Sequence, residues 1–153
     1  MAVLAAYLAA CVDHRGSLAP GERGVIPLLA ASVQQAASAF AFIEGIFAVA
    51  PNLKDLVDGA TSDTLSLTTG VDIQVRPASF RTIRGITAIA AIADEIAFCR
   101  SDDGANPDKE ILKALRPSLA TTGGPLIAIS LPMPSVASFT RRSSVTMGRW
   151  AIH

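Results

Sequence analysis

The 153-residue sequence predicts an α/β fold in which helices flank a mostly parallel sheet. Three apolar runs of strand length, residues 25–31, 87–93 and 125–130, are continuously rather than alternately hydrophobic. Such runs are typical of strands that are buried on both faces, as in parallel sheets covered by helices. Segments with helical signals separate the runs, and this alternation favours a parallel sheet.

The first part of the chain is predicted to form a helix, a loop and a strand. Residues 2–12 are rich in alanine and contain no helix breaker, so they favour a helix. This helix begins without a capping residue, which leads us to expect that the natural chain begins earlier. Residues 13–24 are polar and contain several glycines, so we expect a loop before the strand at residues 25–31.

A second helix is predicted directly after this strand. Ser32 can accept a hydrogen bond from a free backbone N–H group at the helix start, and Pro51 ends the helix near Ala50. One face carries three large apolar residues at helical spacing: Phe40, Ile43 and Phe47. We therefore expect this face to pack in the core.

The second half of the sequence predicts a hairpin, a helix and a final strand. Residues 64–67 and 71–75 alternate apolar and polar side chains around a Thr-Gly turn, a pattern that favours a hairpin. A helix is expected to have Asn106 as its cap and Pro107 as its first residue. A Gly-Gly pair then precedes the apolar strand at residues 125–130.

The composition is unusually apolar for a chain of this length. Half of the residues are apolar and 17% are charged, with a mean hydropathy of +0.43. This fits a membrane protein or the interior part of a larger α/β protein. A membrane span needs roughly 18 unbroken apolar residues, but Glu44 and Asp94-Glu95 interrupt the longest runs, so we expect neither span nor targeting signal. The chain has thirteen basic and thirteen acidic residues, so its net charge is zero and neither favours nor excludes the binding of nucleic acid.

The two cysteines, Cys11 and Cys99, do not indicate a disulfide framework or a metal site. We expect both to serve as small apolar residues in a reducing compartment. Cys11 and His14 are three residues apart, which is a spacing that can hold a metal ion. Because no further ligands cluster near them in the sequence, a histidine at the end of a helix is the favoured interpretation.

The strongest chemical signal is the acidic pair Asp94-Glu95, directly after the buried run at residues 87–93. Two adjacent carboxylates at the end of a buried strand are costly to desolvate, and a divalent cation offsets that cost. In parallel α/β sheets, ligands bind at the carboxyl ends of the strands. The pattern alone is weak, because many strands end in acidic residues that only face water or cap the next helix.

The order of motifs around this pair resembles the ATPase motor domain of phage DNA-packaging terminase large subunits. Phe-Arg-Thr-Ile-Arg-Gly at residues 80–85 precedes the acidic strand, Asn-Pro-Asp-Lys-Glu at 106–110 follows it, and Thr-Thr-Gly-Gly at 121–124 leads into the last strand. The resemblance covers residues 1–130 and implies an incomplete P-loop NTPase core of the RecA-like (ASCE) type. Residues 131–153 are expected to be a divergent, disordered tail.

The resemblance also implies roles for individual residues. Asp94 is the expected magnesium-associated acid of the Walker B strand, and Glu95 is the expected catalytic base. Ser130 is expected to begin the coupling motif, which links hydrolysis to domain movement. Gln34 and Gln35 follow a strand at a position where the family places residues near the nucleotide or the DNA.

The resemblance extends to cofactors and partners. For the intact parent it implies ATP and Mg²⁺ as cofactors, neither of which we expect this chain to bind tightly. As partners of the parent it implies double-stranded DNA, the portal, the small terminase subunit and a homo-oligomeric ring. It implies the cytoplasm of the host cell and no membrane. Arg81 and Arg84 are expected either to contact phosphate or a neighbouring subunit, or to be a solvated pair that flanks the strand.

Two features of the sequence depart from the family. It contains no Gly-x-x-x-x-Gly-Lys-Ser/Thr phosphate loop and no counterpart of the family's nuclease domain. After Ser130 the family pattern stops and the sequence becomes rich in serine and arginine, for which we propose a reading-frame shift that the coding DNA would reveal. We therefore expect a fragment that is inactive alone, and the sequence leaves open whether the chain is an enzyme.

Two other interpretations remain open. A fragment of another P-loop motor, such as a helicase, would share the acidic strand but follow it with different motifs. A non-enzymatic α/β module would act only by binding a partner, and it would be stable, monodisperse and indifferent to Asp94→Asn. The high apolar content argues against such stability, because an isolated piece of a larger domain exposes sheet edges and core faces.

Overall fold

The computed structural model describes residues 1–77, 85–94 and 107–129 of the chain. The helices in these residues are α1 (Ala2–Cys11), α2 (Val33–Val49), α3 (Pro51–Lys54) and α4 (Pro107–Ala120). The strands are β1 (Gly24–Ala30), β2 (Val57–Ala60), β3 (Thr64–Leu67), β4 (Val71–Pro77), β5 (Ala91–Asp94) and β6 (Leu126–Ile129). None of these helices has both the length and the apolar character needed to cross a membrane.

The six strands of the described residues form one mixed sheet in the order β2-β3-β4-β1-β5-β6. Neighbours from β4 to β6 in this order pair in parallel, whereas β2, β3 and β4 pair antiparallel. The predicted α/β class, a sheet flanked by helices, is therefore confirmed. β2 was not predicted, because its sequence Val-Asp-Gly-Ala lacks the alternation that indicates a strand.

β1 lies between β4 and β5 and pairs in parallel with both strands. All seven of its residues are buried, as the continuous apolar run predicted. It pairs with β4 from Gly24 opposite Val71 to Ala30 opposite Pro77. On its other side it pairs with β5 near its carboxyl end. A strand with neighbours on both sides and helices on both faces has no exposed surface, which explains why it tolerates so few polar residues.

Each face of the sheet is covered by different helices. α1 and α2 pack on one face, where Phe40, Ile43 and Phe47 of α2 are buried as predicted. α4 packs on the other face through Leu115 and Leu119. Burial of a large apolar side chain is worth about 1.5–3 kcal/mol, so these few residues account for much of the attachment of the helices to the sheet.

The antiparallel part of the sheet contains the predicted hairpin of β3 and β4. Thr69 and Gly70 lie in its turn, where Gly70 has a backbone φ of +83°. Glycine adopts this left-handed conformation without the steric cost that a side chain brings. In β4 the side chains of Val71, Ile73 and Val75 are buried and the intervening ones are partly exposed, which is the predicted alternation.

The strand predicted at residues 87–93 is shorter than expected, and its regular pairing is confined to β5. Ala88 forms an isolated parallel bridge with Val25, but the register has shifted by one residue where Leu28 pairs with Ile92. The extra residue before β5 disrupts the ladder in the manner of a β-bulge. Continuous hydrophobicity does not reveal such a shift, which explains why the prediction was too long.

The final strand is half-exposed, although the run at residues 125–130 predicted a buried strand. Within the described residues β6 pairs with β5 alone, so it lies at an edge of the sheet. Leu126 and Ile127 are partly buried, and Ile129 is 48% exposed. The prediction of burial was wrong because a continuous apolar run looks the same in an inner strand and in an edge strand.

His14 has a structural role at the end of α1. Its Nε2–H group donates a hydrogen bond to the backbone carbonyl of Leu8 (2.8 Å), one of the carbonyls that lack a partner within the helix. This agrees with the interpretation as a histidine at a helix end. Cys11, which we expected to serve as a small apolar residue, is exposed at the end of α1. Cys99 lies outside the described residues.

Side-chain contacts tie the loop before β1 to the sheet. Arg23 donates from Nε and Nη2 to the carboxylate of Asp72 on β4, with 2.7 Å between Nη2 and Oδ1. Glu22 accepts a hydrogen bond from the hydroxyl of Thr87 and another from the backbone N–H of Ala19 (2.9 Å). These two bonds, with the one from Thr87 dominant, lower the pKa of the Glu22 carboxyl group.

Gly124 lies where the chain before β6 touches the backbone of Ile89, and a Cβ atom there would collide with the Ile89 carbonyl group. We therefore expect Gly124→Ala to lower the free energy of unfolding by about 1–3 kcal/mol, because a backbone cannot move aside as a flexible side chain can. Urea unfolding followed by circular dichroism measures the effect. Gly16→Ala is the matched control, since a Cβ there has no atom within 4 Å. Equal effects of the two substitutions would contradict the close approach.

The lowered pKa of Glu22 predicts that stability depends on pH in acid. Its hydrogen bonds favour the ionised carboxylate, so they add to the free energy of unfolding while the group is ionised. This stabilisation is complete above the usual pKa of 4.5 and is lost as the pH falls through the lower pKa of the folded state. We expect the stability difference between the wild-type chain and Glu22→Gln to be largest near neutral pH and to shrink in acid. Thermal unfolding at a series of pH values measures both chains, and a difference that stays constant with pH would argue against these bonds.

Candidate functional site

Asp94 lies at the carboxyl edge of the parallel part of the sheet. β5 is an inner strand, with β1 on one side and β6 on the other. Asp94 is its last residue and pairs with Ile129 of β6, while the preceding Ala93 pairs with Leu29 of β1. The Asp94 side chain is half-buried and so remains in contact with solvent. This is the edge at which parallel α/β sheets bind their ligands.

The first turn of α2 follows β1 directly and therefore starts at the same edge. Ser32 caps the helix, and its Oγ accepts a hydrogen bond from the backbone N–H of Gln35 (3.2 Å), as the sequence predicted. Gln34 and Gln35 are both exposed in this first turn. The helix dipole and the free N–H groups at a helix start attract negative charge. The start of α2 therefore favours an anionic group at the edge where Asp94 lies.

The structure places three of the predicted site residues on this edge: Asp94, Gln34 and Gln35. They come from β5 and from the helix that follows its neighbour β1, so distant parts of the sequence meet there. Four other residues with predicted roles lie outside the described residues, and their roles stay predictions: Arg81, Arg84, Glu95 and Ser130.

The described part of the edge suits a cation that keeps most of its water. No three His, Cys, Asp or Glu side chains of the described residues converge as a closed metal cage requires. Mg²⁺ usually keeps several waters and binds through one or two carboxylates, which fits Asp94 at a solvent-accessible edge. The sequence contains no lysine-bearing phosphate loop. The residues present therefore fit the metal ion but do not supply the usual cradle for nucleotide phosphates.

Ala30 also belongs to this edge, and the sequence did not predict it. It ends β1 and follows Leu29, which pairs with Ala93, so it lies alongside Asp94 in the ladder. Its small side chain leaves Asp94 without a bulky neighbour on that strand. The signal that would have indicated it is the run of small residues Ala-Ala-Ser between the buried strand and the helix cap.

Comparison with known proteins bears on the fold. No protein-family model and no curated protein matches the sequence. The structure is nevertheless similar to part of a solved protein, and this similarity supports a terminase-like fold for the described residues. That solved protein is the large terminase of bacteriophage HK97, with a TM-score of 0.60 and 23% sequence identity. The similarity covers 84% of this chain and 25% of the terminase, so the chain spans about a quarter of the terminase's length.

The Ser32 cap fixes the first turn of α2 at the site edge, so its removal should destabilise the chain. Loss of a serine cap typically costs about 1 kcal/mol, and we expect this loss in Ser32→Ala but little loss in Ser32→Asp, which keeps an acceptor oxygen. Urea unfolding of both variants tests this, with Ser62→Ala in an exposed loop as the control. If Ser32→Ala and Ser62→Ala had the same stability, the cap would have no energetic role.

Proposed function

We propose that this chain is part of the ATPase motor domain of a terminase large subunit, with β5 as its Walker B strand. The position of Asp94 carries the proposal, because this acid ends an inner parallel strand at the carboxyl edge of a terminase-like sheet. An acidic residue at that position is suited to hold Mg²⁺ through water beside the phosphates of a nucleotide.

In this proposal Asp94 and Glu95 have different tasks. Asp94 would hold the metal ion at the end of β5 through water. Glu95 orients the attacking water and accepts its proton. When it is bound, Mg²⁺ neutralises negative charge on the phosphates. The half-buried position of Asp94 supports its task, because a carboxylate that is partly withdrawn from water holds a cation more firmly than one on an open surface.

We assign the other predicted residues to the surroundings of this pair. Gln34 and Gln35 at the start of α2 contact the nucleotide or the DNA, and their exposure at the site edge supports this. Arg84 contacts phosphate or a neighbouring subunit. Ser130 begins the coupling motif after β6, the strand that pairs with β5 through Asp94 and Ile129.

The proposed parent is a packaging motor in the cytoplasm of the host cell. It uses ATP and Mg²⁺, moves double-stranded DNA through a portal, and works as a homo-oligomeric ring with the small terminase subunit. These partners and cofactors belong to the proposal, which is supported by the terminase-like fold of a chain that spans about a quarter of the solved terminase.

The chain by itself is proposed to be inactive as an ATPase. A P-loop motor holds the β- and γ-phosphates with backbone N–H groups of a glycine-rich loop and with a lysine. The sequence has no such loop. The start of α2 offers N–H groups but no lysine in its first turn, so it does not replace the missing loop.

The terminase assignment is preferred to a helicase fragment and to a module that only binds a partner. Thr-Thr-Gly-Gly before β6 and Pro107 at the start of α4 match the motif order that resembles the terminase. A motor requires an acid at the ligand-binding edge of the sheet, and Asp94 meets this requirement.

Metal binding at Asp94 is the direct test of the proposed site. We expect Mn²⁺, used as a paramagnetic substitute for Mg²⁺, to broaden the backbone amide signals of Ser32, Gln34 and Ile129 in a ¹⁵N-labelled full-length chain. Asp94→Asn should abolish this broadening because it removes the anionic oxygen. Asp55→Asn, a change to an exposed acid after α3, should leave it intact. Broadening that persists in Asp94→Asn would contradict the assignment of this acid as the metal residue.

ATP turnover tests the proposed inactivity of the isolated chain. We expect the purified full-length chain with Mg²⁺ to release phosphate no faster than buffer does, because the sequence lacks the loop that binds the phosphates. A phosphate-release assay measures this, with Glu95→Gln as the matched variant. Turnover by the wild-type chain that disappears in Glu95→Gln would show that the chain is an active ATPase and that the proposal of inactivity is wrong.

A further inference from the structure

A β-bulge directly before β5 separates residues that would otherwise alternate between the two faces of the sheet. Side chains of a regular strand point to opposite faces in turn. Ala88 and Ala91 both pack in the cluster that contains α4. The two residues between them, Ile89 and Ala90, are consecutive, but both pack in the cluster of α1 and α2. The extra residue therefore reverses the alternation at this point, as β-bulges do when they redirect a side chain.

The reversal determines the face on which Asp94 lies. After Ala91 the side chains alternate again, with Ile92 in the cluster of α1 and α2 and Ala93 in the cluster of α4. Asp94 comes next, so it lies on the side of α1 and α2, the face on which α2 begins. Without the extra residue Asp94 would lie on the α4 side, because a shift of one residue moves each following side chain to the opposite face.

The apolar side chains around the bulge select this register only weakly. Residues 88–93 read Ala-Ile-Ala-Ala-Ile-Ala, so most of the side chains that a slip would exchange are alanines. On the β1 side the bulge is held by backbone groups: Val25 accepts a hydrogen bond from the N–H of Ile89 (3.0 Å) and donates one to the carbonyl of Thr87 (2.9 Å). Backbone groups are alike in every residue, so they do not distinguish one register from the next.

The connection between α4 and β6 holds the other side of the bulge. The backbone N–H of Ala88 donates a hydrogen bond to the carbonyl of Ser118 in the last turn of α4 (3.0 Å). The carbonyl of Ala88 accepts a hydrogen bond from the hydroxyl of Thr122. Regular pairing with β6 begins three residues later, at Ala91 opposite Leu126. Both backbone groups of Ala88 therefore bond to the α4–β6 connection before β6 itself begins.

Thr122 supplies a side-chain contact to the bulge. Its hydroxyl donates to the carbonyl of Ala88 and accepts a hydrogen bond from the backbone N–H of Gly124 (3.2 Å). A hydroxyl has one donor and two acceptor positions, so it can join the bulge to the turn in this way. Ala88 is fully buried, so water does not replace the hydroxyl if it is removed. The buried carbonyl would lose this partner unless the backbone moved.

We propose that Thr122 is a positioning residue: its hydroxyl locks the bulge and so keeps Asp94 on the face where α2 begins. Thr122 acts through the bulge and not by contact with a metal ion, because it precedes β6 whereas Asp94 pairs with Ile129 at the far end of that strand. The role of Asp94 as the metal residue rests on the proposed function, but the lock on the register does not.

Three variants of the full-length chain test the effect on the site. Thr122→Val removes the hydroxyl and keeps a branched side chain, Thr122→Ser keeps the hydroxyl, and Thr121→Val changes the exposed neighbouring threonine as the matched control. We expect Thr122→Val to lower the Mn²⁺ affinity of the folded chain about tenfold, as loss of a supporting group does at metal sites. Thr122→Ser and Thr121→Val should retain the wild-type affinity. Titration of the amide broadening around Asp94 measures it.

Nuclear Overhauser effects between backbone protons measure the register without a metal ion. In the wild-type chain we expect a contact between Leu28 and Ile92, which are paired across β1 and β5. In Thr122→Val this contact should weaken, and a contact between Leu28 and Ala91 should appear, because loss of the extra residue moves β5 by one position. Thr122→Ser should keep the wild-type contact.

Several results would overturn the lock. One is a Thr122→Val chain with wild-type register and affinity, even if less stable, because a merely structural role lowers stability and leaves the folded site unchanged. Another is lower affinity with an unchanged register. A Leu28–Ala91 contact in the wild-type chain, or loss of the register in Thr122→Ser, would also contradict it, and neither result requires Thr122→Val to fold. A wild-type chain that does not bind Mn²⁺ but slips in Thr122→Val would refute the proposed metal site and support the lock.

Discussion

β1 pairs in parallel with β4 on one side and with β5 on the other, and these two pairings determine where every other element of the parallel part of the sheet lies. β1 is buried along its whole length, so its position leaves no freedom to exchange neighbours or to turn over. Its direction fixes which end of β5 carries Asp94 and where α2 begins. If β1 paired with β5 in the opposite sense, Asp94 and the start of α2 would lie at opposite edges of the sheet.

A small number of residues fix the position of Asp94, the acid on which the proposed chemistry depends. Asp94 pairs with Ile129 of β6, and the preceding Ala93 pairs with Leu29 of β1, so the carboxylate lies at the end of a paired strand rather than on a loop. The one-residue shift between the Val25–Ala88 bridge and the regular part of β5 places Asp94 level with the end of β1. Gly124 contributes to the same arrangement: because it has no side chain, the chain before β6 can lie against the backbone of Ile89, in the segment before β5.

Much of this arrangement could be predicted from the sequence, because it rests on local signals. The seven-residue apolar run of β1, the Ser32 cap and the helical spacing of Phe40, Ile43 and Phe47 each indicate their structure directly. Strand order, the register shift before β5 and the exposure of Ile129 could not be predicted, because they depend on which distant segments pair. For the same reason the sequence identified Asp94 as a candidate but not its neighbours Ala30 and Ile129.

The proposed site requires that Asp94 ends an inner parallel strand beside β1 and β6. Nuclear Overhauser effects between backbone protons of the isotopically labelled full-length chain measure this pairing. We expect cross-strand contacts of Asp94 with Ile129 and of Ala93 with Leu29, in the pattern of parallel pairing. Contacts that join Asp94 to the amino ends of these strands, near Gly24 or Leu126, would show antiparallel pairing and would contradict both the fold and the proposed site.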